Sequence, residues 1–220
     1  MNVREQFRSM DLERLILVPV FFFLLGGSVL RAYHNAGKLS LNDLTRTLYV
    51  AHAVLTVCFY VLTIALFFLR SAPKANSHRL MPKFLAYAGT FMPFALIFTK
   101  ITEVNVASTL LSTCIMTGGM LFSLYSLKTL GKSFGITPQA RELVQEGPYR
   151  FIRHPLYVGE TIALGGAILT GFSAQRLCIY LVWIAIQSYR AIQEEILLEH
   201  TIADYSAYKA QTRRFIPGLL

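Results

Sequence analysis

Six stretches of this chain carry no charge, and their lengths set the first expectations. They are Leu15–Leu30, Thr47–Leu69, Phe84–Thr99, Val104–Leu127, Thr161–Gln175 and Leu177–Tyr189. A helix that spans a bilayer needs about 20 mostly apolar residues, with a range of about 17–25. The second and fourth runs meet that unaided. The first and third meet it once flanking residues that can snorkel are counted. The last two read as a helical hairpin turning near Ser173–Arg176. The pattern predicts an all-α, polytopic membrane protein with about six transmembrane helices, and the short hairpin runs leave five possible. The first run has the basic flank and apolar core of a signal peptide. The stretch "RAYHNAGK" behind it offers no small-x-small cleavage site, so it is read as a spanning helix.

Composition agrees with this class. The chain is 54% hydrophobic and 15% charged, where soluble domains carry about 25% charged residues. Under the six-helix count, loops on one side hold 16 Lys and Arg and those on the other hold five, including Lys100. That bias predicts both termini in the cytoplasm. The sequence pI near 9.6 then reads as attraction to anionic lipid heads rather than to nucleic acid. Cys58, Cys114 and Cys178 stand alone in apolar runs, without metal-ligand spacing, and are expected to be small packing residues.

Polar chemistry is unevenly spread. Residues 1–127 are read as four spanning helices and their loops, with His34, His52 and His78 occurring singly. A hydrogen bond from His52 to a neighbouring helix is expected. Gly26–Gly27 and Gly118–Gly119 are expected to permit close helix contact. Residues 128–220 hold ten of the 21 basic and seven of the 12 acidic residues, and are read as the region where any chemistry resides.

Within that region, "GPYRFIRHPLYVGE" (residues 147–160) is the densest polar stretch. Pro155 suits the first position of a helix, which leaves Arg153 and His154 beside the exposed N–H groups of its start. Positive charge is unfavourable there, so the spot is suited to an anionic group from elsewhere. Past it, Gly159, Ala163, Ala167 and Gly171 form a stripe of small residues. In the second arm of the hairpin, Trp183, Gln187, Arg190 and Glu194 fall on one helix face. The turn returns that face to the side of Arg153–Tyr157. Taken singly, these residues also fit membrane-surface anchors: Tyr149 and Tyr157 as interfacial aromatics, Arg150 and Arg153 as positive-inside charges. The residues alone leave an anchor and a ligand site both open.

The ordered set "LGKSFGI", "LVQEGPYRFIRHPLYVGE", a hairpin, "RAIQEE", Tyr-x-x-Tyr and a closing Arg-x-Ile-Pro resembles the isoprenylcysteine carboxyl methyltransferase family. It covers about the last 90 residues. The resemblance implies S-adenosylmethionine as methyl donor in a pocket at the cytoplasmic edge. By position it nominates Leu143, Val144, Tyr149, His154, Pro155, Leu156, Tyr157 and Glu194 for the cofactor. It nominates Arg190 for an acceptor carboxylate, with Trp183 beside it, and Arg190, Glu194 and His154 as the catalytic set. No metal is implied. The implied acceptor is a prenylated cysteine or a similar lipophilic molecule reached from the membrane lipids. A phospholipid amine is the alternative, with Glu160, Glu195 or His154 to take its proton. A nicotinamide-dependent sterol-reductase-like enzyme and a non-enzymatic scaffold are more distant readings.

Overall fold

The computed structural model describes residues 12–36, 43–77, 79–99 and 106–216. His78, Lys100, Val104 and the proline of the closing Arg-x-Ile-Pro lie outside them. The elements are α1 (Leu12–Ala36), α2 (Asp43–Leu69), β1 (Ala75–Asn76), α3 (Leu80–Phe91) running on as a 3₁₀ stretch (Met92–Phe98), α4 (Val106–Leu130), β2 (Gln139–Ala140), a 3₁₀ turn (Gly147–Arg150), α5 (Pro155–Leu169), α6 (Ala174–Thr201) and α7 (Tyr205–Gln211). The chain is a multi-pass, all-α integral membrane protein.

Among the described residues, four segments are long and apolar enough to cross a membrane: Glu13–His34, Arg46–Leu69, Leu80–Phe98 and Val106–Ser133. This corrects the expected count of six, or five. α5 has 15 residues, which at 1.5 Å each is about 22 Å, short of a hydrocarbon core of about 30 Å. α6 has 28 residues, but Arg176, Gln187, Arg190, Glu194 and Glu195 interrupt it. The hairpin itself is present. Ser173 caps α6 by accepting the Arg176 N–H at 3.3 Å, and Arg176 donates back to the Ala167 carbonyl at 2.6 Å.

Inside the spans, hydroxyls are satisfied locally. Thr56 and Thr63 donate to the carbonyls of His52 (2.9 Å) and Phe59 (2.8 Å), four residues back, which keeps them from competing for partners in an apolar medium. The core lies where α1 and α2 meet the chain leaving α4. Phe67 of α2 stacks edge-on against Phe134 at 5.4 Å and tilts against Phe21 of α1 at 5.8 Å.

The tightest helix contact joins α4 to α5. A Cβ on Gly119 would fall 2.4 Å from the Ala163 nitrogen, and one on Gly159 would fall 2.5 Å from Ser123 Oγ. Gly166, against Met116 and the Ser112 carbonyl, continues the contact, while Ala167 turns to a cavity described below. Of the expected small-residue stripe, Gly159 and Ala163 thus pack on α4. Among the described residues, a Cβ on Gly26, Gly27 or Gly118 would meet nothing within 4 Å, so those expected contacts are absent there. All three cysteines are exposed rather than packed, on the outer faces of their helices. A side chain at position 119 has only backbone to push against, so Gly119→Val is expected to destabilise by about 1–3 kcal/mol. A lowered melting temperature in detergent checks this.

Candidate active site

α5 begins where the sequence suggested, at Pro155, and the anion awaited by its start is Glu195 of α6. This carboxylate, 2% exposed, accepts from Arg153 Nε at 2.9 Å, from Arg214 Nε and Nη2 at 3.0 and 2.9 Å, and lies 3.2 Å from His154 Nε2. Burial pushes its pKa up, but the hydrogen bonds from His154, Arg214 and Arg153 together outweigh that and hold the carboxyl well below the usual range.

The C-terminal segment closes over this knot. Arg153 and His154 donate their backbone N–H groups to the carbonyls of Arg213 (2.8 Å) and Arg214 (3.1 Å). Arg153 also donates to the Thr212 carbonyl. Tyr208 of α7 donates to the Tyr149 carbonyl at 2.7 Å. Burial pushes the Tyr208 phenol up to about 12, so it stays a neutral donor. Tyr149, Tyr157 and His154 are buried, and of the four residues that fitted an anchor only Arg150 is exposed.

Two cavities meet beside this knot. The first, about 120 Å³, is lined by Leu143, Val144, Tyr149, His154, Leu156, Tyr157 and Glu194, all nominated from the sequence, together with Arg153, Thr137, Tyr205 and Tyr208. Pro155 does not line it and is buried at the first position of α5. Tyr157 donates to Glu194 Oε1, and its ring stacks on His154 at 5.4 Å and 7°.

The second cavity, about 280 Å³, is mostly apolar. It runs between α1, α2, α3, α4, α5 and α6. Gly135, Leu156 and Tyr157 belong to both cavities. At the junction Arg190, 5% exposed, lies 5.0 Å over the Tyr157 ring from the second cavity's side. It donates to Gln187 Oε1 at 2.6 Å and to the Ile136 carbonyl at 3.0 Å, and its Nε has no partner. Gln187 in turn donates to Glu160 at 2.9 Å. Trp183 also lines this cavity and donates to the Gly89 carbonyl at 2.7 Å. A Cβ on Gly89 would stand 2.9 Å from Gln187 Oε1 and push on the oxygen that accepts from Arg190. The nominated residues thus divide: Arg190 and Trp183 line the apolar cavity, Leu143, Val144, Tyr149, His154 and Glu194 line the polar one, and Leu156 and Tyr157 line both.

A model of the phospholipid methyltransferase family matches residues 106–204, from α4 to the end of α6. Over those residues, a little under half of the chain, it is similar to these membrane methyltransferases. Among solved structures it is similar to a eukaryotic intramembrane Ras methyltransferase, isoprenylcysteine carboxyl methyltransferase, at 16% identity and a TM-score of 0.55 over all of this chain and 88% of that one. At that identity the likeness is one of fold. No curated protein matches the sequence. The family match supports a membrane methyltransferase that uses S-adenosylmethionine.

Sequence reasoning missed one member of the site. Glu13, near the start of α1, is 6% exposed and pairs with Arg70 at 2.7 Å. Its other oxygen accepts the backbone N–H groups of Ile136 and Thr137 at 3.1 and 2.7 Å. With the β1–β2 pairing of Ala75 with Ala140, it holds the 134–140 segment whose Ile136 carbonyl receives Arg190. Nothing marks it in the sequence except an acid at a helix start.

Proposed function

We propose that residues 128–220 are the catalytic region of a methyltransferase that esterifies a lipid-borne carboxylate, a prenylated cysteine being the model acceptor. One observation carries this reading. A buried arginine with a free Nε faces an apolar cavity and shares the Tyr157 ring with a polar cavity that suits the cofactor.

The polar cavity fits S-adenosylmethionine by its chemistry. The Glu194 carboxylate, bonded by Tyr157 and 22% exposed, suits a cationic or hydroxylated group. Leu143, Val144 and Leu156 suit an adenine, and the His154–Tyr157 stack stiffens the wall between the cavities. When bound, this cofactor supplies a methyl group already activated on a sulfonium. The protein's part is then alignment and the exclusion of water. Arg190 holds the acceptor carboxylate by charge-assisted hydrogen bonds. A carboxylate is already ionised at neutral pH, so it gives up no proton to react.

Glu160 favours a second reading. It lines the same cavity as Arg190 and can take a proton from an amine, which the phospholipid methyltransferase match also supports. Transfer of labelled methyl to an amine-blocked prenylated cysteine separates the two. An ester is released by mild base, whereas a product stable to base, or transfer to phosphatidylethanolamine alone, overturns the ester reading.

Four spans among the described residues support a reading with both termini on one membrane face. That side holds 17 of the 21 Lys and Arg, which supports a cytoplasmic placement of both termini and of the site. For the cofactor assignment, Tyr157→Phe removes the donor to Glu194. Affinity for S-adenosylmethionine is expected to fall about tenfold, the worth of a hydrogen bond to a charged group. Calorimetric titration in detergent reads it.

A further inference from the structure

The apolar cavity extends well away from the reacting end. Arg190 marks one end through Ile136, whose N–H is held by Glu13 beside Arg70 at the C-terminal end of α2. From there the cavity follows α2 backwards past Thr63 and Thr56 to His52. Thr63 and His52 are eleven residues apart on one helix, about 16 Å at the helical rise.

His52 is out of place in such a wall. Its Nδ1 is buried and has no hydrogen-bond partner, contrary to the bond to a neighbouring helix that the sequence suggested. The hydroxyls that line the same cavity make no bond to it: Thr56 and Thr63 donate to carbonyls of their own helix and Thr90 donates to the Ala86 carbonyl at 2.9 Å. Leaving a buried polar atom unsatisfied costs about 1–3 kcal/mol, and ionisable side chains within a spanning helix are functional candidates for that reason. A hydrocarbon chain filling the cavity leaves the cost in place. A chain with an oxygen at its far end removes it.

We propose that His52 recognises the far end of the acceptor's tail, and that the favoured acceptor carries a hydrogen-bonding oxygen there instead of ending as plain hydrocarbon. This rests on the reading that the apolar cavity receives the acceptor. His52 is then a specificity-determining residue, about 16 Å or more from the methyl transfer and without a part in it.

The test uses two tails, farnesol and its ω-hydroxylated analogue, and the amine-blocked cysteines bearing each. Thermal shift of the purified protein in detergent reads tail binding without turnover, and kcat/KM reads the cysteines. Wild type is expected to favour the hydroxylated tail about tenfold. His52→Phe is expected to abolish that preference, while His52→Gln, which keeps a hydrogen-bonding group, retains most of it. A wild type indifferent to the hydroxyl, or a preference that survives in His52→Phe, overturns the proposal. If the tails shift the protein as expected but neither cysteine is methylated, the carboxylate reading fails and the tail site stands.

Discussion

Glu195→Ala is expected to destabilise the fold by about 3–5 kcal/mol and to abolish binding of S-adenosylmethionine with it. Removing one partner of a buried ion pair leaves the others uncompensated; here Arg153 and Arg214 lose their counter-charge and His154 loses its partner at 3.2 Å. Arg153 has 9% of its side chain exposed and His154 7%, so neither can turn to water without moving. Arg214, one-third exposed, can. The damage should therefore concentrate where Arg153 and His154 enter α5, loosening the bridge between Ile152 and Arg213 and the tail behind it. Glu195→Gln keeps the shape and one acceptor oxygen but not the charge, and should recover part of the stability. The melting temperature in detergent and protease sensitivity of the C-terminal 15 residues measure both variants. A tail that stays protected in Glu195→Ala would mean that α7 and the backbone bonds hold it without the carboxylate.

The same carboxylate sets an acid limit. Its pKa in the folded protein lies below the ordinary value, so folding favours the ionised form. The stabilisation is fully present above the ordinary carboxylate pKa and is lost as pH falls through that value towards the folded one. Thermal stability should therefore decline from about pH 5 downward. Glu195→Gln should flatten that slope while leaving the neutral-pH region level.

What was legible in the sequence is what periodicity writes locally. Gly159 and Ala163 lie on one face because they are four apart, and so do Trp183, Gln187, Arg190 and Glu194. Those faces survive folding unchanged. The span count was not legible from uncharged runs, because run length ignores where a helix begins and ends. α6 continues twelve residues past Tyr189, and its polar half packs on protein. Glu13 was not legible at all. Its partners are 57 to 124 residues away, and no local pattern encodes a carboxylate holding a distant loop. The first 127 residues carry no motif for a related reason. Apart from Glu13, Arg70, Gly89 and His52, they contribute Phe21, Phe59, Met120 and their neighbours as cavity wall, and any apolar side chain of suitable volume makes a wall.

Arg190→Ala should cut kcat/KM for the acceptor by about 100–1,000-fold while affinity for S-adenosylmethionine stays near wild type. The estimate is the cost of removing one member of a desolvated, hydrogen-bonded charge pair. The selectivity follows from position: Arg190 lines the apolar cavity and not the polar one, and the Tyr157 ring stands between. Lysine should rescue little. The guanidinium makes two bonds in different directions, to Gln187 and to the Ile136 carbonyl, and covers the Tyr157 face. An ammonium cannot span that fork. Gln187→Leu removes the bond to Arg190 and releases Glu160 without removing the cation, so it should raise the acceptor KM and leave kcat closer to wild type. Arg190 would then be anchored from two sides, by Gln187 of its own helix and by the loop that Glu13 holds. Loss of cofactor affinity in Arg190→Ala, in step with the loss of acceptor kinetics, would move Arg190 to the cofactor's side of Tyr157 and overturn the division of the two cavities.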